Sequence, residues 1–172
     1  MNFAKINHMK TIEINKPILD ACCAGRMFYF NKKDPRVLFQ DIRDTGINLV
    51  DGRVYSIHPD IKGDFTNMQF PDESFSMVIF DPPHLILEKE DKVPTGYQMQ
   101  KYGWLHKDWQ EVLRKGFAEC FRVLKHEGFL IFKWNDTDIP ISKILALTDE
   151  KPILGHRSGK QQRTHWVLFM KK

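Results

Sequence analysis

Short apolar runs, each closed by an aspartate, set the tightest limit on how this chain can fold. Arg36-Val37-Leu38-Phe39-Gln40-Asp41, Asp60-Ile61-Lys62-Gly63-Asp64 and Ser76-Met77-Val78-Ile79-Phe80-Asp81 share this form, and Pro17-Ile18-Leu19-Asp20-Ala21-Cys22-Cys23 runs through its aspartate into a small-residue turn. A fifth run, Gly128 to Trp134, is the most strand-like in composition. Between the fourth and fifth runs, Trp109, Val112, Leu113, Phe117, Cys120, Phe121 and Leu124 recur at helical spacing, with charged residues on the opposite face and Gly128 closing the turn. A weaker helix over about 141–147 leads to two strands, Pro152–His156 and Thr164–Met170, close enough to form an antiparallel hairpin. Strands alternating with helical segments predict an α/β, Rossmann-like, doubly wound and mostly parallel sheet of five strands, with that hairpin at its edge. Ligands of such sheets bind beyond the carboxyl ends of the strands, where Asp20, Asp41, Asp64 and Asp81 all fall.

With 172 residues and no linker or repeat, the expectation is one domain over 1–172, residues 1–16 being an N-terminal extension. Hydrophobic residues at 42% and charged residues at 28% exclude disordered and collagen-like classes. No run approaches the roughly 20 apolar residues of a membrane span. The first residues lack the apolar core of a secretory signal. Three cysteines, Cys22 and Cys23 adjacent, cannot build a regular disulfide framework, so a reducing, cytoplasmic setting is expected. The histidines are scattered singly and form no zinc spacing, so no metal is expected. Absence of G-x-G-x-x-G after the first strand argues against a nicotinamide site.

Asp81-Pro82-Pro83-His84 carries the most chemical information. Each proline fixes its own φ and drives the preceding residue towards extended backbone. Such an elbow can aim the Asp81 carboxylate and the Pro82 carbonyl at one point, which suits an amino group with two N–H donors. A plain strand terminator with an acidic cap accounts for the same four residues.

Ile18 to Gly25 resembles the first motif of class I S-adenosylmethionine-dependent methyltransferases, and Asp81-Pro82-Pro83-His84 the Asp-Pro-Pro-aromatic motif of the amino-methyltransferases. Phe121 to Gly128 resembles the helix-to-strand segment of that superfamily. The string through Phe132-Lys133-Trp134-Asn135 and Gly155 to Lys160 resembles a compact bacterial and phage-associated group. The resemblance implies the class I methyltransferase fold, S-adenosyl-L-methionine as cofactor, and transfer to an exocyclic amine, adenine N6 in DNA first. RNA, protein-amide and small-molecule acceptors stay open, as does a non-catalytic cofactor- or nucleic-acid-binding module.

Carried over by position, the resemblance puts Asp20, Cys22, Cys23, Ala24 and Gly25 around the methionine part of the cofactor. Asp41 and Ile42 fall at ribose and adenine, and Asp64 and Phe65 at the adenine amine and ring. Asp81 and Pro82 receive the target amine, Pro83 stiffens the elbow, and His84 takes the stacking position. The sequence departs from the pattern at Ala24 and Arg26, where glycines are usual, and at His84, where a larger aromatic is usual. Ala24 fits if its φ stays negative, and Arg26 is expected to bind the cofactor carboxylate bidentately or to be a solvated loop cation.

The tail from Lys151 to Lys172 holds Lys151, Arg157, Lys160, Arg163, Lys171 and Lys172 and no acid. More than the whole net charge of +4 therefore lies there. Arg157, Lys160 and Arg163 suit phosphate contacts or a solvated turn. Lys133 and Trp134 are expected to touch substrate, since tryptophan at a strand's carboxyl end is awkward as pure core. Glu88 to Gly103 reads as a lid or as a plain surface excursion. A methyltransferase core of this length leaves no room for a target-recognition domain, so sequence specificity is expected to be short, borrowed from a partner, or absent.

Overall fold

The computed structural model describes residues 15–48, 52–87 and 97–172. The N-terminal extension up to residue 14 and positions 88–96 of the expected lid lie outside the described residues.

Seven strands form the main sheet: β1 (Ile18–Asp20), β2 (Val37–Asp41), β5 (Ile61–Lys62), β6 (Phe75–Phe80), β7 (Leu124–Asn135), β8 (Leu154–Ser158) and β9 (Thr164–Met170). Their order is β5-β2-β1-β6-β7-β9-β8. The first five are parallel, β9 runs antiparallel to β7, and β8 antiparallel to β9. The five apolar runs thus pair as their composition predicts, with a C-terminal hairpin at the edge.

A separate two-stranded hairpin, β3 (Thr45–Asn48) with β4 (Val54–Ile57), was not expected from the sequence. Its residues are largely exposed, and only Tyr55 and Ile57 are buried, so no apolar run announces it. The fifth strand also begins earlier than expected, at Leu124. Gly128 therefore lies inside β7 and does not close the helix turn. Just before it Glu127 adopts φ 60, and the β6 register shifts between Phe75 and Met77, which marks an irregular strand start.

One face of the sheet carries the core. The helix α2 (Trp109–Val123) buries Leu113, Gly116, Phe117, Cys120 and Val123 against Val78, Phe80, Leu130 and Phe132. Gly116 permits that approach, since a Cβ there would lie 2.7 Å from the Phe80 ring and 2.9 Å from Phe65. The short α3 (Ile141–Leu145) adds Ile144 to the same layer. The opposite face, bearing Ile18, Val37, Ile79 and Ile131, is met by the β1–β2 connection, a series of turns rather than a helix. From it Phe28 packs edge-on against Trp166 and Tyr29 against Phe39. Among the described residues no helix is long and apolar enough to cross a membrane.

Candidate active site

The carboxyl ends of β1, β2, β6 and β7 converge on a cavity of about 330 Å³, a volume within the range of about 300–1,000 Å³ usual for small-molecule pockets. Cys22, Ala24, Asp41, Ile42 and Phe65 line one part of it, and the whole elbow from Asp81 to His84 lines another. Lys133, Asn135 and Thr164 bound it from β7 and β9. Tyr102, at the end of α1 (Tyr97–Tyr102), completes the wall.

The turn after β1 has glycine-like geometry without the glycines. Ala24 has φ 43 and Arg26 φ 53, so the negative φ expected of Ala24 does not hold. Left-handed backbone costs a non-glycine residue about 1–2 kcal/mol, and the surrounding bonds hold it in place. Ala24 N–H donates to Asp41 Oδ2 at 2.8 Å, and Gly25 N–H to the Tyr55 hydroxyl at 2.8 Å. A Cβ at Gly25 would sit 2.5 Å from the Tyr55 ring, so the unforeseen β3–β4 hairpin closes directly on this turn.

The Arg26 guanidinium is held by protein partners. Its guanidinium donates to the Lys32 and His58 carbonyls at 2.6 and 2.7 Å, pairs with Asp60 at 3.3 Å, and lies 3.7 Å over the Phe39 ring. These contacts make it a staple between the first turn and the strands beside it. Asp64 also departs from its expected place. Its Oδ1 accepts the N–H and hydroxyl of Thr66, closing a local turn, and it does not line the cavity.

Asp41 is buried and already coordinated. Besides Ala24, it accepts the backbone N–H and Nε of Arg43 at 2.9 and 3.0 Å. Arg43 extends onward to the carbonyls of Gln100 and Lys101 at the end of α1. Sequence reading missed Arg43, although its place two residues after a strand-end acid was a visible signal. It also missed Tyr55, whose role depends on a contact 30 residues away, whereas Tyr102 falls in the segment read as a lid or a surface excursion.

Asp20 lies fully buried below the turn, accepting Cys22 N–H and the Tyr29 hydroxyl. Burial, with smaller contributions from Asp81 and Asp41, raises its carboxyl from 3.8 to about 7. The folded chain thus keeps a proton that the unfolded chain releases, and stability falls as pH rises through this window. The expected result is a melting temperature that declines from about pH 4 to pH 7 and declines less in Asp20→Asn. Equal pH slopes in the two proteins would refute this account.

Burial pushes Asp81 up as well, while Lys133, with Nζ 2.6 Å from Oδ2, pulls it down. His84 is held down to about 4 by burial and then by the Lys133 charge, so near neutral pH it presents an uncharged ring. That ring sits 5.9 Å from Tyr102 and 6.4 Å from Trp134, centroid to centroid. Cys22 borders the cavity as a thiol, its ionisation pushed well up by burial.

Trp134 does not face a substrate. It is 1% exposed, stacks with Phe132, and donates its indole N–H to the Ile139 carbonyl at 2.7 Å. It is core that backs the site through His84. Arg157 sits on β8, and Lys160 and Arg163 lie in the exposed turn between β8 and β9. That turn reaches the rim of the cavity, because Arg163 O accepts Asp136 N–H and the next residue, Thr164, lines the pocket.

No family model matches the sequence, and no curated protein matches it. Solved structures do resemble it. A protein of Pyrococcus horikoshii superposes with a TM-score of 0.58 at 17% identity, over 90% of this chain and 81% of the other. A TehB-like SAM-dependent methyltransferase of Corynebacterium glutamicum gives 0.56 at 16%, over 90% and 79%. A SAM-dependent methyltransferase of Methanosarcina mazei gives 0.53 at 9%, over 99% of both chains. The chain therefore has the class I methyltransferase fold.

Proposed function

We propose that this chain is an S-adenosylmethionine-dependent methyltransferase acting on an exocyclic amino nitrogen of a nucleic-acid base, adenine N6 in DNA first. The observation that carries the reading is the Asp81–His84 elbow, set in one cavity with Asp41, Ile42 and Phe65 on a methyltransferase fold. The chemistry of the lining fits the cofactor. Ile42 and Phe65 offer apolar surface for a purine, and the Asp41 carboxylate beside them offers an acceptor for a ribose hydroxyl.

When bound, the cofactor supplies an electrophilic methyl on a cationic sulfur. The elbow does the rest. An exocyclic amine is a poor nucleophile because its lone pair is delocalised into the ring. Accepting its two N–H groups at Asp81 and the Pro82 carbonyl favours the pyramidal nitrogen that attack requires. As the nitrogen gains a methyl it must shed a proton, and Asp81 is the base placed to receive it. Neutral His84 offers a stacking surface, and alignment and water exclusion supply most of the acceleration. A duplex base must first leave the stack, at a cost of a few kcal/mol. Lys160 and Arg163 in the turn at the rim, with Arg157 on β8 beside it, would take phosphates, and a separate specificity partner would supply sequence selection in a cytoplasmic setting.

The engagement of Asp41 by Arg43 and of Arg26 by carbonyls favours a second reading, a non-catalytic binding module. Calorimetry with S-adenosylmethionine and S-adenosylhomocysteine, followed by methyl-tritium transfer to DNA, RNA and protein fractions, separates the two. Binding of cofactor and label in DNA are expected. Binding of neither molecule would sink the methyltransferase reading, and binding without transfer would favour the module.

A further inference from the structure

We propose that Lys133 is the positioning residue of the elbow: its ammonium holds one oxygen of Asp81, keeps the carboxylate charged, and turns the other oxygen to the acceptor amine. The identity of the acceptor rests on the reading above, whereas the pair itself does not.

Phe80 and Phe132 are register partners on neighbouring parallel strands, and Asp81 and Lys133 each follow by one residue. Both side chains therefore leave the sheet on the same side, and Nζ meets Oδ2 at 2.6 Å with about a quarter of each side chain exposed. A lysine loses rotamer freedom when fixed, so such a pair needs confinement to be of use. Two aromatic rings provide it. The ammonium lies 5.7 Å from the centroids of both Phe28 and Trp166, which pack edge-to-face on each other. Its attraction to their faces restricts it to one side of the carboxylate.

The charged and titratable groups facing Asp81 are Asp20 and Cys22 from the first turn and Lys133 from β7, with His84 of its own elbow on the same cavity wall. An acid, a thiol and a neutral imidazole cannot compensate a half-buried carboxylate. Among the described residues, Lys133 is the cation that does so. This matters for the chemistry because a protonated Asp81 would carry an O–H, a donor facing the N–H donors of the acceptor. With Oδ2 on Lys133, Oδ1 stays an acceptor.

The test compares Lys133→Met and Lys133→Arg with the wild-type full chain. Carbon-13 NMR follows the Asp81 carboxyl without cofactor, and kcat is measured against pH for the acceptor fraction that takes label. In K133M the Asp81 carboxyl should titrate at higher pH than in wild type, and the acid limb of kcat should move the same way. Near neutral pH kcat should fall by up to about 100-fold, the cost of misplacing a reacting group, while cofactor affinity holds. K133R should restore both readouts. An unmoved Asp81 titration, or a loss of activity that is independent of pH and unrescued by arginine, would overturn the proposal. Asp81→Asn supplies the reciprocal measurement, since it must shift the Lys133 ammonium resonance, and an unshifted resonance overturns the pair even if K133M fails to fold. A wild type that binds no cofactor and labels no acceptor defeats the functional reading instead, and leaves the Asp81 titration to decide the pair.

Discussion

Replacing Asp81 with alanine is expected to reduce methyl transfer by a factor of about 10²–10³ or more, the usual cost of deleting one preorganised partner of the reacting group. Cofactor binding should persist. The residues suited to the adenosine portion, Asp41, Ile42 and Phe65, are held by their own strands and turns rather than by Asp81. The loss should therefore fall on kcat and spare the affinity for S-adenosylmethionine measured by calorimetry. Asparagine should rescue little, although it preserves the shape. Its carbonyl would turn to the Lys133 ammonium, and its NH₂ would then face the N–H donors of the acceptor. Transfer that survives either substitution would remove the elbow from the mechanism and return Asp81-Pro82-Pro83 to the role of a strand terminator.

The parts of this architecture legible in the sequence are those that local physics dictates. Runs such as Val37–Asp41 and Phe75–Phe80 are apolar because both faces of a parallel strand are covered, and that pattern needs no partner to be visible. The stripe of α2 is visible for the same reason. The first turn is different. Its left-handed Ala24 and Arg26 are stabilised by Asp41, Tyr55, Lys32 and His58, contacts that span as many as 32 residues and leave no local trace. The β3–β4 hairpin supplies Tyr55 from a segment of mostly exposed residues, so periodicity was silent there. The local turn at Asp64 is readable, since an aspartate followed two residues later by threonine readily closes on itself.

Trp134→Ala should cost about 3–5 kcal/mol of folding stability, a large share of the about 5–15 kcal/mol that holds a typical domain. The side chain is 1% exposed, lies nearly parallel to Phe132 at 16°, and fills the layer beneath His84. Trp134→Phe is the sharper experiment. Phenylalanine keeps most of the apolar contact but lacks the indole N–H, so the Ile139 carbonyl loses its donor. An acceptor stripped of its partner in this way costs about 1–3 kcal/mol. Thermal and urea unfolding should register that loss, while KM for the acceptor fraction that takes label stays at the wild-type value, because the indole does not line the cavity. The opposite pattern, full stability with a raised KM, would put Trp134 back in contact with substrate, where its position at the end of a strand first suggested it belonged. Burial decides between the two outcomes. A tryptophan that looks awkward at the end of a strand becomes ordinary core once the chain beyond it folds back, and here the segment from Asp136 to Pro140 does so and brings the Ile139 carbonyl to the indole.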